Sequence, residues 1–173
     1  PQEINEGLGI FLVSKFIQFL KRKKLGTKIL LSQDSRPSSF NLAQAIRDKF
    51  PEINYLGVLP SPLFYWWLKK LNQPGVYITA SHLPIKYNGF KFLLPNGQSW
   101  LYPGKLKSFQ PIKIIKPQKP EFKKDLVIEY LQELKKFINL NQEHSFTFKE
   151  NTSTNLYPLK LLPLVCLLYT SPS

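Results

Sequence analysis

Three polar loops, each directly after an apolar run, carry the side chains that a phosphoryl-transfer site needs. They are Gln33-Asp34-Ser35-Arg36, Pro60-Ser61-Pro62 and Thr79-Ala80-Ser81-His82. Phosphoryl transfer requires a nucleophilic oxygen, a proton shuttle and cations that balance the developing charge. The third loop offers the oxygen and the imidazole in Ser81 and His82, and the nearby cations are Arg36, Lys86 and Lys91. These residue types predict a site for phosphoryl chemistry where the loops converge.

The elements that must position these loops alternate between strand and helix. Helical spacing of apolar residues occurs over 8–24, 39–50, 63–71 and 122–138, and buried-strand runs occur over 28–32, 55–59, 75–79 and 90–94. Ser38 or Ser39 is expected to cap the second helix, and Ser61 the third. The pattern predicts a layered α/β/α domain with a mainly parallel, mixed sheet, in which ligands bind beyond the carboxyl ends of the strands.

The composition of the chain limits the classes of protein to which it can belong. A chain of 173 residues with 43% apolar and 20% charged residues can form one ordinary core and the start of a second domain. Cys166 is the only cysteine, so a disulfide framework is excluded and a reducing cytoplasm is the expected location. The apolar stretch 156–169 is interrupted by Pro158, Lys160 and Pro163 and falls short of the ~20 residues that a membrane span requires. No membrane association is expected.

The formal net charge of +13 suggests a polyanion as an alternative partner. Only Arg22, Arg36 and Arg47 are arginines, however, and the lysines are scattered through every segment. This distribution is more typical of solvated helix faces than of a surface that reads a nucleic-acid groove. Nucleic-acid binding is therefore not favoured, and a non-catalytic α/β domain that binds a polyanion is the alternative hypothesis.

Three stretches of the chain resemble domain one of the α-D-phosphohexomutases. They read ILLSQDSRPSS, GVLPSPLFYWWLKK and GVYITASHLPIKYNGFKFLLPNG, within a resemblance that spans roughly residues 8–97. The most specific elements are the TASHNP-type loop, here Thr79 to Pro84, and the NGxK element that follows it, here Asn88 to Lys91. The resemblance implies a four-domain enzyme that interconverts hexose 1-phosphate and hexose 6-phosphate.

The same resemblance assigns roles to individual residues. Ser81 would be the phosphoserine that gives its phosphoryl group to the sugar and recovers one from a bisphosphorylated intermediate. Mg²⁺ would sit on the phosphate of Ser81, with its other ligands in a second domain. His82 and Lys91 would transfer protons, and Arg36 and Asn88 would bind the hexose phosphate substrate.

Some residues have a structural alternative or depart from the family pattern. Asp34 and Arg36 could instead pair with each other to hold the loop after the first strand. The aromatic residues 65–67 are expected to pack rather than to stack on a sugar, because they lie in the middle of a helix. Leu83 stands where the family has asparagine, and Gln33 where it has arginine, which removes a permanent cation.

The predicted domain organisation has three parts. The chain opens at Pro1 and contains no methionine, so its N-terminus is expected to be cut. The family resemblance implies that residues 1–140 form domain one without the N-terminal strand of the family. Residues 141–165 are expected to be a linker or a divergent start of a second domain. Residues 166–173 read as the translation of a sequencing adapter, with a natural tail as the alternative. On this hypothesis the chain alone is catalytically inactive.

Overall fold

The computed structural model describes residues 4–106, 108–114 and 121–137, and in this part strands and helices alternate as predicted. The helices are α1 (Glu6–Arg22), α2 (Pro37–Lys49), α3 (Ser61–Leu71) and α4 (Lys124–Phe137). The strands are β1 (Leu30–Gln33), β2 (Asn54–Val58), β3 (Gly75–Ile78), β4 (Phe90–Leu93) and β5 (Ser99–Trp100). The predicted segments 141–165 and 166–173 lie outside the described residues. None of the described helices is long and apolar enough to cross a membrane.

Within the described residues the strands form one mixed sheet in the order β2-β1-β3-β4-β5. β1 lies parallel to β2 and to β3, whereas β4 pairs antiparallel with β3 and β5 antiparallel with β4. The parallel strands therefore end at one edge, and the loops that follow them are neighbours. The sequence pattern does not predict β5, because a two-residue strand is too short to show a period.

Each face of the sheet buries its own apolar cluster, because neighbouring residues of a strand point to opposite sides. On one face α1 and α2 cover Leu31, Val76, Ile78 and Phe92. On the other face α3 and α4 cover Leu30, Tyr77 and Leu93. Residues on both faces of β1 and β3 are inaccessible to solvent, which explains why these strands read as continuous apolar runs.

The aromatic segment of α3 packs inside the domain, as predicted. Trp67 is buried and donates its indole N–H to the carbonyl oxygen of Leu126 at 3.3 Å. Trp66 packs edge-on against Tyr130 of α4, with ring centroids 5.4 Å apart. These contacts hold α4 against α3 and show that Trp66 and Trp67 serve packing.

The predicted serine caps of α2 and α3 are wrong. The N-cap residues are Arg36 and Pro60, and neither forms a side-chain capping hydrogen bond. Proline in the first turn sets both starts, since its fixed φ suits a helix and its missing N–H would have no partner there. Ser39 instead donates its hydroxyl to Asp34 Oδ1 at 2.7 Å. The serine thus serves the loop after β1 rather than the helix.

Candidate phosphoryl-transfer site

The carboxyl edge of the parallel strands brings the three predicted loops together. The backbone N–H of Asp34 donates to the carbonyl of Ile78 at 3.0 Å, and that of Leu59 donates to the carbonyl of Gln33 at 3.1 Å. These bonds cross-link the ends of β1, β2 and β3. The longest of the three loops, residues 79–89, is called the serine loop below. It leaves β3, crosses the sheet edge and returns as β4.

Arg36 is the centre of the contacts between the first loop and the serine loop. Its Nε donates to Asp34 Oδ2 at 2.8 Å. The other four contacts are with main-chain carbonyl oxygens of the serine loop. Nη1 donates to residues 84 and 87 at 2.8 and 3.4 Å, and Nη2 donates to residues 81 and 83, both at 2.8 Å. The predicted pairing of Arg36 with Asp34 is therefore present.

A second set of side-chain contacts joins the first loop and the serine loop to the start of α2. Asp34 Oδ1 accepts from the backbone N–H of Arg36 at 3.1 Å and from the Ser39 hydroxyl. Asn88 Nδ2 donates to the hydroxyl oxygens of Ser38 and Ser39 at 2.8 and 2.9 Å. The side-chain Oδ1 of Asn88 accepts from the backbone N–H of Gly89 at 2.8 Å. Three polar residues, Asp34, Ser39 and Asn88, thus join the two loops independently of Arg36's fork.

Ser81 lies at an exposed position of the serine loop in an unusual backbone conformation. Its φ of 55° falls in the left-handed region, which costs free energy for any residue with a Cβ atom. Its backbone N–H donates to the Thr79 hydroxyl at 2.9 Å, and its carbonyl accepts from Arg36. The loop thus fixes both main-chain polar groups of Ser81 and leaves its side chain in solvent.

His82 and Lys91 lie at the same edge. His82 follows Ser81 directly and is exposed, whereas Lys91 is half-buried in β4 opposite Tyr77. Strand alternation puts Lys91 on the face of Leu93, which is the face covered by α3 and α4. The structure brings Ser81, His82, Lys91, Arg36 and Asn88 to one edge of the sheet. Among the described residues, no hydrogen bond joins Lys91 or His82 to Ser81.

Gln33, where the family resemblance suggests arginine, is fully buried at the end of β1. Its Oε1 accepts from the Tyr55 hydroxyl at 3.0 Å, on the face covered by α1 and α2. Its Nε2 finds no partner among the described residues. A buried amide donor without a partner costs free energy. This position therefore carries a neutral amide with an unpaired donor instead of a charge.

A second polar region lies at the opposite end of α2. A groove of about 380 Å³ is lined by Arg47, Asp48, Tyr55, Glu121 and others. The pKa of Tyr55 is raised to about 12, chiefly because burial disfavours the charged phenolate. Arg47, whose guanidinium carbon lies 4.2 Å from the ring centroid, opposes this rise in pKa, whereas Glu121 adds to it. Arg47 also pairs with Glu121 at 3.2 Å. The groove lies at the start of β2, away from the edge where open α/β sheets bind ligands.

The described residues do not form a metal site by themselves. Within ranges 4–106, 108–114 and 121–137, no cluster of three His, Cys, Asp or Glu side chains could hold an ion. The carboxylate of Asp34, in the loop after β1, uses both oxygens for Arg36 and Ser39. Hard cations such as Mg²⁺ need several oxygen ligands. The Ser81 hydroxyl is an exposed oxygen beside this loop.

Comparison with known proteins decides the family. The model of the family described as "Phosphoglucomutase/phosphomannomutase, alpha/beta/alpha domain I" matches residues 2–103. The chain belongs to this family. Its described fold, a mixed sheet between two helical layers, agrees with the α/β/α domain that the family description names. The predicted family and fold class are thus confirmed.

Curated relatives of this phosphoglucomutase/phosphomannomutase domain carry mutase names. The chain is 32% identical to a phosphomannomutase of Salmonella muenchen over 87 residues, which cover 48% of the chain and 18% of that protein. It is 40% identical to a phosphoglucosamine mutase of Clostridium botulinum (strain Hall) over 76 residues, covering 41% of the chain and 17% of that protein. The aligned region spans less than a fifth of the length of these relatives.

Sequence reasoning missed the role of two hydroxyl side chains. Ser39 bridges Asp34 and Asn88, and Thr79 accepts from the backbone of Ser81. The signal for Ser39 is its place five residues after Asp34, across a proline that starts a helix. The signal for Thr79 is its place two residues before Ser81, the spacing of a side-chain turn around a backbone N–H. Both residues stabilise the loop geometry.

Proposed function

We propose that the complete protein that carries this chain is a phosphohexomutase. It interconverts hexose 1-phosphate and hexose 6-phosphate through a phosphate group on Ser81 and a bisphosphorylated sugar. The family membership and the mutase names of the relatives support this class of reaction. The chain supplies the serine loop, and the remaining sugar contacts come from other parts of the protein.

The proposal rests on how the serine loop holds the backbone of Ser81 and exposes its side chain. Both of its main-chain polar groups are held, its φ is 55°, and its side chain is exposed at the edge where three loops meet. A strained and over-determined residue of this kind suggests a functional constraint. A phosphoryl carrier needs this combination, because its oxygen must be fixed in place and still be accessible to a bulky substrate.

The proposed chemistry consists of two transfers in opposite directions. In the first, the bond between phosphorus and Ser81 Oγ breaks as phosphorus bonds to a sugar hydroxyl oxygen, and the hydroxyl proton passes to a base. After the bisphosphorylated sugar reorients, Ser81 Oγ takes the phosphoryl group from the other position, and the released sugar oxygen takes a proton. His82 and Lys91 are the proposed proton-transfer groups, and Lys91 also offers positive charge to the reacting phosphoryl group.

Other parts of the proposal rest on the family resemblance. Mg²⁺ would bind the phosphate of Ser81 and balance its charge, with carboxylate ligands from outside the described residues. Arg36 and Asn88 were predicted as substrate ligands, and this role stays a prediction. The cytoplasmic location of the protein also stays a prediction.

The replacement of Ser81 by alanine in the complete protein tests the proposal. Turnover of hexose 1-phosphate should fall to the level without enzyme, because alanine lacks the oxygen that accepts and returns the phosphoryl group. The fold should persist, since an exposed loop serine contributes little to packing. Ser99→Ala, at an exposed serine of β5, is the matched control and should retain turnover. Full turnover in Ser81→Ala would contradict the proposal.

A further inference from the structure

Every donor of the Arg36 guanidinium group is already used inside the domain. An arginine side chain has five N–H donors, and Arg36 makes five contacts. One is with Asp34, and four are with carbonyl oxygens of the serine loop. The side chain is only 11% exposed. In this arrangement no N–H group of Arg36 is left for a substrate phosphate.

The four carbonyl contacts determine the shape of the serine loop. The carbonyls of residues 81, 83, 84 and 87 converge on one cation, an arrangement in which their dipoles repel each other unless a positive charge lies between them. The first of these carbonyls belongs to Ser81, the residue with the left-handed backbone. Arg36 therefore stabilises a left-handed backbone conformation of Ser81 that costs free energy for any residue with a Cβ atom.

Arg36 is itself held in place from the side of α2. Asp34 accepts from both its side-chain Nε and its backbone N–H, and Ser39 fixes the second carboxylate oxygen. Charge-assisted contacts in a planar fork restrict both the position and the orientation of the guanidinium group. The position of the serine loop is thus fixed by a chain of contacts that runs from the end of β1 through Asp34 and Arg36 to Ser81.

We propose that Arg36 is a positioning residue that sets the conformation of Ser81, and that it is not a ligand of the substrate. The inference rests on the proposed function of Ser81, and it assigns Arg36 a role opposite to the substrate contact predicted from the sequence. Arginine is required because a lysine ammonium carries the same charge on one nitrogen. A single nitrogen cannot reach carbonyl oxygens spread around both ends of a planar fork.

Arg36→Lys in the complete protein tests the inference by two independent readouts. Amide hydrogen exchange should become faster in peptides from the serine loop and stay unchanged in β1 and β3. With hexose phosphate, kcat should fall about 10²-fold, because the nucleophile is misplaced, while KM stays within about threefold. Arg47→Lys is the matched control and should leave exchange in the serine loop unchanged, since Arg47 lies at the other end of α2.

Several outcomes would overturn the inference. Unchanged exchange in the serine loop would show that Arg36 does not hold it. A KM raised tenfold or more with kcat retained would identify Arg36 as a substrate ligand. If the complete wild-type protein has no mutase activity, the proposed function fails, and the exchange result still decides the role of Arg36.

Asp34→Asn provides a second variant in case Arg36→Lys unfolds the domain, which would appear as faster exchange in β1 and β3 as well. It retains the guanidinium group and removes the negative charge that anchors it. The serine loop should again exchange faster than in the wild type, by a smaller factor than in Arg36→Lys. Wild-type exchange in Asp34→Asn would then overturn the inference.

Discussion

The two clusters beneath the helices and the serine loop at the sheet edge are built by different interactions. The clusters consist of apolar side chains that are almost completely buried on both faces of the sheet. In the serine loop, Leu83, Ile85 and Tyr87 are 47%, 66% and 48% exposed. The loop is held instead by Arg36, Asp34 and Asn88 through hydrogen bonds to main-chain and hydroxyl groups.

The interactions that stabilise the domain are therefore different from those that fix the conformation of the serine loop. Burial of apolar area is non-directional and stabilises the domain as a whole. Directional contacts of a few polar groups fix a single loop conformation and add much less to the free energy of unfolding. Substitutions in the clusters should therefore change stability, and substitutions in the loop should change the site while the domain stays folded.

Phe64→Ala should produce the largest loss of stability. The ring of Phe64 is fully buried, stacks on Tyr77 with centroids 5.1 Å apart and lies against Gly75. Its removal leaves a cavity between α3 and the sheet, and we expect the free energy of unfolding to fall by about 3–5 kcal/mol. Urea unfolding followed by circular dichroism measures this change. A loss below about 1 kcal/mol would contradict the description of this cluster.

Tyr55 should make the domain sensitive to alkaline pH. Burial raises its pKa from 10.0 to about 12 in the folded state, so the folded domain retains the proton longer than the unfolded chain does. The stability from this difference is complete below pH 10 and is lost as the pH rises from 10 to 12. In unfolding titrations over this range the wild type should lose free energy of unfolding relative to Tyr55→Phe, which has no hydroxyl to titrate, while lysines titrate equally in both. A constant difference would contradict the prediction.

Ile85→Ser should have the smallest effect on stability. Ile85 is 66% exposed in the serine loop, so serine removes little buried apolar area. The free energy of unfolding should change by no more than about 0.5 kcal/mol. The same urea titration applies. A loss close to that of Phe64→Ala would show that the loop contributes to the core and would remove the distinction between the two regions.

The layered fold could be predicted from sequence because its signals are local. The strand runs and helical periods fall within a few residues of the observed elements, and the order of elements implies the common edge for the loops. The predicted serine caps of α2 and α3 are wrong, because Pro37 and Pro62 in the first turns outweigh the serines beside them. β5 has too few residues to carry a pattern.

For the candidate site, the sequence predicts which residues take part but not the contacts between them. Ser81, His82 and Lys91 were found by their motif, and the structure places them at one edge. The contacts of Arg36 were not predictable, because they are with main-chain carbonyls 45 to 51 residues away, and any residue type supplies a carbonyl. Sequence identifies the groups that can do chemistry, whereas the loop geometry depends on backbone atoms that carry no sequence signal.

The most direct test of the account is the location of phosphate on the complete protein. Intact-mass and phosphopeptide analysis after incubation with a hexose bisphosphate should find one phosphate, on the peptide that contains Ser81. The same treatment of Ser81→Ala should leave the protein unmodified, and Ser99→Ala should be modified like the wild type. Phosphate found reproducibly at another residue, or an unmodified Ser81 in a protein that turns over substrate, would contradict the proposed role of the serine loop.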